Sequence, residues 1–141
     1  MILRISGHDF HYECENLCRV FFPNEKINIV YDGSGEDPIT VVTEYSGGRA
    51  CVSAEINGEK KALERECDDE SAELTVAKLI FSALSELTGY VPPWGVLTGV
   101  RPSKLMLRLI ADMGEEEAVK YFTDDLLVSR AKTELAVTVA K

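Results

Sequence analysis

Residues 39–66 read ITVVTEYSGGRACVSAEINGEKKALERE, and this stretch decides the fold. From Ile39 to Tyr45 the chain is rich in Val and Thr, branched side chains that fit a pleated surface. Ser46-Gly47-Gly48 then supplies residues that tolerate positive φ, as a tight hairpin requires. Ala50, Val52, Ala54 and Ile56 alternate with Cys51, Ser53 and Glu55, a period of two that gives a strand with one covered face. Asn57-Gly58 is the strongest short hairpin signal, and the returning strand runs from Glu59 to Glu66.

Working outward, Ile2 to Ser6 reads as a first strand stopped by Gly7. Phe10, Cys14, Leu17, Cys18 and Phe21 fall at helical spacing, with Glu13, Glu15 and Arg19 turned outward and Pro23 ending the helix. Ile27 to Tyr31 is strand-like, with a turn at Asp32-Gly33-Ser34-Gly35, so residues 27–66 are expected to form an antiparallel meander of four strands. Beyond it, Asp68-Asp69-Glu70 opens a helix, where carboxylates suit the positive end of the dipole. That helix carries an apolar stripe of Val76, Leu79, Ile80, Ala83, Leu84 and Leu87, and Gly89 closes it. Val91-Pro92-Pro93-Trp94-Gly95 is a rigid connector, Pro102 to Met113 a helix, and shorter helices follow. The expected class is α+β: a mostly antiparallel meander sheet covered by helices over residues 1–90, and a helical appendage over 91–141.

Composition narrows the function classes. The chain has 141 residues, enough for one well-buried core, and 45% of them are hydrophobic. Fifteen Lys and Arg against 24 Asp and Glu give a net charge of −9, which argues against nucleic-acid binding through bulk charge. No apolar run approaches a membrane span, and Met1-Ile2-Leu3-Arg4 lacks the long apolar region of a secretory signal, so a cytoplasmic protein is expected. Cys14, Cys18, Cys51 and Cys67 are too few and too scattered for a disulfide scaffold and read as free thiols. The final segment, Val128 to Lys141, is helical in character without a closing signal, as in a piece of a longer polypeptide.

Chemistry-bearing residues are sparse. Residues 94–108 contain Arg101, Lys104 and Arg108 and no acid. Offsets of 0, 3 and 7 put the three cations on one helix face, behind a first turn that contains Pro102. They read either as an edge that contacts an anion or a partner, or as cations paired with the chain's own carboxylates. Trp94 reads either as part of that recognition patch or as an anchor for the connector. His11, Cys14 and Cys18 share the same 0, 3, 7 spacing, but Phe10, Leu17 and Phe21 lie on their face, so core packing is expected rather than metal binding. No hydrolase, P-loop, dinucleotide or zinc-protease motif is present, so no catalytic or metal-binding residue is assigned.

The run Pro93-Trp94-Gly95-Val96-Leu97-Thr98-Gly99-Val100-Arg101-Pro102-Ser103-Lys104-Leu105 resembles a run in the HemZ-type branch of the oxygen-independent coproporphyrinogen III oxidase family. In that branch it lies in an N-terminal region ahead of a radical S-adenosylmethionine barrel. The resemblance implies an oxidoreductase of porphyrin and haem biosynthesis that decarboxylates two propionates of coproporphyrinogen III, with a [4Fe–4S] cluster and S-adenosylmethionine as cofactors. The cluster motif of the family is C-x-x-x-C-x-x-C. Cys14 and Cys18 have its first spacing, but Phe21 stands where the third cysteine belongs. The chain is therefore expected to be a catalytically silent accessory domain holding no cofactor itself, with its own C-terminal radical domain as partner. Trp94, Arg101, Lys104 and Arg108 would contact that domain or the carboxylates of the tetrapyrrole. A stand-alone module that binds protein or RNA through the 94–108 edge is the alternative, and a structural domain with an internally neutralised edge is a third.

Overall fold

A computed structural model describes residues 1–31 and 35–141, so three of the four residues of the expected turn at Asp32-Gly33-Ser34-Gly35 lie outside the described residues. The chain divides into two compact units, Met1–Tyr90 and Val91–Lys141. The first is an α+β unit whose sheet is mostly antiparallel by paired length. It is built from β1 (Ile2–Ser6), α1 (His11–Phe21), β2 (Asn28–Val30), β3 (Ile39–Ser46), β4 (Arg49–Ile56), β5 (Glu59–Glu66) and α2 (Ala72–Thr88).

The two hairpins form where the turn chemistry demands. Gly47 and Gly48 take φ of 58° and 75°, and Asn57 and Gly58 take 50° and 92°. Two consecutive positive φ angles match the right-handed twist of the flanking strands. Register follows from the turns: Ser46 pairs with Arg49, Ile56 with Glu59, and both ladders run antiparallel for eight residues.

The four-strand meander is corrected to three strands. The sheet order is β2-β1-β3-β4-β5, and β2 pairs in parallel with β1 rather than antiparallel with β3. β1 is also parallel to β3, which makes it an interior strand. The physical reason is α1. Parallel strands need a long crossover, and the eleven-residue helix between β1 and β2 is one. Leu3 and Ile5, at 0% and 1% exposure, have the burial of an interior strand.

One face of the sheet carries the core. Val41, Thr43, Ala50, Val52 and Ala54 are buried together with Val76, Ile80, Ala83 and Leu84 of α2. α2 lies on β3, β4 and β5, and α1 packs beside it through Cys14, Leu17, Cys18 and Phe21. Each Val, Leu or Ile among them withdrawn from water contributes about 1.5–3 kcal/mol, and each alanine less. The outer strand β5 is lined with Glu59, Lys60, Lys61, Glu64, Arg65 and Glu66, charges that discourage edge-to-edge pairing.

The second unit is helical: α3 (Pro102–Met113), α4 (Glu115–Lys120), a π-helical turn at Tyr121–Asp125 and α5 (Arg130–Ala140). Met106 and Leu109 of α3, Ala118, Phe122, Leu126 and Val128, and Thr133 and Ala136 of α5 are among its buried residues. Ser129 caps α5, its Oγ accepting from the Lys132 amide at 3.2 Å.

Candidate functional site

The Pro93–Leu105 run falls into two physically distinct halves. The first is tied down. The Pro93 carbonyl accepts from the Ser129 amide at 2.8 Å, and the Val96 amide donates to the Leu126 carbonyl at 2.9 Å. Gly95, at φ 60°, sits so close to this neighbour that an added Cβ would lie 2.0 Å from the Leu126 oxygen and 2.4 Å from the Leu127 carbonyl carbon. Only glycine fits both the angle and the space. Leu127 itself takes φ 58°, so both sides of the contact are conformationally constrained.

Trp94 is half-buried, with the Lys132 ammonium 5.6 Å from its ring centroid, a cation–π contact toward α5. The other three sequence-derived site residues come together elsewhere. Arg101, Lys104 and Arg108 are all exposed and line one open groove of about 670 Å³ along α3. Val100, Leu105, Leu107 and Ala111 complete the lining, and Trp94 does not contribute to it.

The local structure explains how α3 presents these side chains. Arg101 is extended, at φ −89° and ψ 111°, and Pro102 follows at the first helical position, where its missing N–H costs nothing. The buried stripe passes through Met106 and Leu109, so residues at offsets 0, 3 and 7 from Arg101 face solvent.

The electrostatics of this edge are unfavourable within the chain. The first turn of α3 has no acidic residue and no side-chain cap. Arg101 and Lys104 therefore stand at the positive end of the helix dipole, where cations cost about 0.3–1 kcal/mol each. Several cations elsewhere in the chain are neutralised locally. Arg19 pairs with Glu15 at 2.9 Å, Arg49 with Glu66 at 3.4 Å, Lys61 with Glu86 at 3.1 Å and Arg130 with Glu134 at 3.6 Å. Among the described residues no such pair involves Arg101, Lys104 or Arg108. The edge can thus offer two guanidinium forks and an ammonium to carboxylates beside exposed apolar surface.

That apolar surface is what sequence reading missed. Val100 and Leu107 are 51% and 55% exposed, and they flank the cations. The available signal was surplus hydrophobicity: α3 carries leucines at 105, 107 and 109, and they cannot all share one buried stripe.

The His11, Cys14 and Cys18 set does not form a ligand site. Cys14 and Cys18 are buried in the core and His11 is exposed. Burial pushes the Cys14 thiol up to about 12 and the Cys18 thiol further in the same direction. All four cysteines are free thiols. An iron–sulfur cluster needs accessible thiolates in a converging set, and this donor set does not fit one. Among the described residues no group of three or more His, Cys, Asp or Glu could hold a metal ion.

His8, unassigned by sequence, joins a buried polar network instead. Its Nδ1 accepts from the Phe10 amide at 3.0 Å, which leaves Nε2 to donate to Thr43 Oγ1 at 2.8 Å. Thr43, fully buried, passes its own hydrogen to the Arg4 carbonyl at 3.1 Å. Desolvation holds the imidazole below its ordinary value of 6.5, against a smaller upward pull from Asp9. This network satisfies the buried hydroxyl and stabilises the fold.

Among the described residues no helix is long and apolar enough to cross a membrane. The chain is similar to the oxygen-independent coproporphyrinogen-III oxidase-like protein HemZ of Bacillus subtilis (strain 168), with 27% identity over 150 aligned positions covering 94% of this chain and 29% of that protein. The resemblance carried by Pro93–Leu105 therefore extends over nearly the whole chain, and the chain spans less than a third of the length of the curated relative it matches. No family model and no solved structure matches.

Proposed function

We propose that this chain is the N-terminal accessory domain of a radical S-adenosylmethionine oxidoreductase of the coproporphyrinogen oxidase type, active in porphyrin and haem biosynthesis in the cytoplasm. The carrying observation is the shape of the similarity: nearly all of the chain aligns, to under a third of the relative. The chain is itself non-catalytic, and its partner is a C-terminal catalytic domain that would bring the [4Fe–4S] cluster and S-adenosylmethionine. The domain docks on that partner or covers it through Arg101, Lys104 and Arg108. Oxidative decarboxylation needs a covered, dry pocket, and an accessory domain beside the barrel would help to supply one. Arg101, the better carboxylate fork of the three, is the residue to reach a propionate if the edge touches tetrapyrrole.

The experiment begins with the reading frame beyond Lys141. A C-x-x-x-C-x-x-C motif within a few tens of codons supports the proposal. In the resulting full-length protein, Arg101→Glu is expected to lower coproporphyrinogen turnover at least tenfold, with cluster content unchanged. A stop directly after Lys141, or turnover unchanged by Arg101→Glu, would overturn it. The second reading, a stand-alone binding module, is favoured by one specific observation: in this chain the three cations are exposed and, among the described residues, without an ion pair.

A further inference from the structure

We infer that the Arg101–Arg108 face of α3 seats an acidic amphipathic helix of a protein partner. The inference rests on reading this edge as a contact surface and names what is contacted. The groove is lined by cations, Lys104 and Arg108 on the helix with Arg101 at its N-cap, and by apolar residues, Leu107 and Ala111 on the helix with Val100 just ahead of it. From Arg101 to Arg108 the helix rises about 10 Å, roughly two turns, too far for one carboxylate to bridge. Carboxylates spaced three and four residues apart on an opposing helix would match the cation row. Apolar residues on the same helix would cover Leu107 and Val100, each more than half exposed.

Charge complementarity selects this occupant. The chain is strongly acidic overall yet leaves these three cations without an ion pair among the described residues. Among the described residues no aromatic side chain lines the groove, so they supply no stacking platform there for single-stranded nucleic acid. The groove is open rather than closed around a small molecule, and its lining extends from Val100 to Ala111, which suits an extended partner.

The test uses a fluorescein-labelled peptide of about 18 residues, roughly 27 Å long as a helix, with leucines at every third or fourth position flanked by glutamates. It is titrated with the 141-residue chain beside a scrambled peptide of identical composition, labelled oligouridylate, and coproporphyrin III. The designed peptide is expected to saturate the chain and to bind at least about tenfold more tightly than the scrambled one, with affinity falling as salt is added. Leu107→Asp, and Arg101→Glu combined with Lys104→Glu, are each expected to weaken it about tenfold, whereas Lys60→Glu on β5 is not. All these positions are exposed or half-exposed, and circular dichroism checks that each variant folds. Equal binding of the scrambled peptide, absence of saturable binding, preference for oligouridylate or coproporphyrin III, or indifference to Leu107→Asp would each overturn the inference. A full-length enzyme whose turnover depends on Arg101 while the peptide fails to bind overturns this inference alone. A stop after Lys141 with peptide binding intact overturns only the proposed function.

Discussion

Two sets of residues in this chain share one spacing, and the cysteines of one meet the opposite fate from the cations of the other. His11, Cys14 and Cys18 on α1 and Arg101, Lys104 and Arg108 on α3 both lie at offsets 0, 3 and 7. In α1 the thiols share their face with Leu17 and Phe21 and are buried with them. In α3 the buried stripe is Met106 and Leu109, on another face, and the cations stand in solvent. Spacing establishes only that side chains share a face. The apolar residues that accompany them decide whether that face turns inward and becomes core or outward and becomes available for contact.

The largest expected effect breaks the seat of the outward set. Gly95→Ala would drive a Cβ into the Leu126 carbonyl at a positive φ, and is expected to destabilise the Val91–Lys141 unit by about 3–5 kcal/mol. Gly99→Ala, at φ 69° but with nothing within 4 Å, should cost only about 1–2 kcal/mol. Hydrogen exchange of the α3 and α5 amides measures both. Equal costs would mean that the two halves of the Pro93–Leu105 run are not physically distinct. Next comes the inward set. Cys18→Ser puts a hydroxyl at a position with no exposure and is expected to cost about 1–3 kcal/mol in urea unfolding. The contact of the α3 face with a partner should be untouched, and a change in peptide affinity would show that the two sets are coupled.

A smaller effect concerns the polar network behind α1. Burial lowers the pKa of His8 in the fold, against a smaller upward pull from Asp9. Between the lowered folded value and the unfolded value of 6.5, the unfolded chain binds more protons. The stability from this group is therefore fully present above pH 6.5 and declines as pH falls below it. Glu73, raised by burial and by Glu13 and Asp9, has the opposite sign and acts above its ordinary 4.5. Comparing the native chain with His8→Asn isolates the histidine: the difference in stability between pH 7.5 and pH 5.5 is expected to shrink in the variant. An identical pH dependence would remove His8 from the network.

How much of this was legible in the sequence depended on how local the determinant was. The hairpins at Gly47-Gly48 and Asn57-Gly58 fall where backbone chemistry demanded, and α3 runs from Pro102 to Met113 as read because a proline opens it and Gly114 follows. The place of β2 was not legible. A three-residue strand with no fully buried side chain carries little pattern, and its partner was chosen by the crossover through α1. The π-helical turn at Tyr121–Asp125 has no sequence signature. It follows from seating the fully buried Phe122 while the chain turns back to place Val128 and Ser129. Of the site, the cation face was readable from spacing. The exposed Val100 and Leu107 beside it, and the turning of Trp94 toward Lys132, depend on how α3 and α5 pack and lay beyond local pattern.

The smallest effect has the most informative sign. Arg101 and Lys104 occupy the N-terminal end of α3, where the dipole favours negative charge, and neither has a carboxylate within four residues. Replacing both by glutamate should therefore stabilise the isolated chain, by about 0.3–1 kcal/mol for each position at low salt, with the gain shrinking as salt rises. Urea unfolding with an unchanged slope measures this directly. A side chain whose removal strengthens the fold is not there for the fold. Stabilisation coupled to loss of partner binding is the pattern expected when local stability has been given up for a contact surface. Destabilisation by the same double substitution would mean that the cations serve the chain's own carboxylates, and the outward set would then be as structural as the inward one.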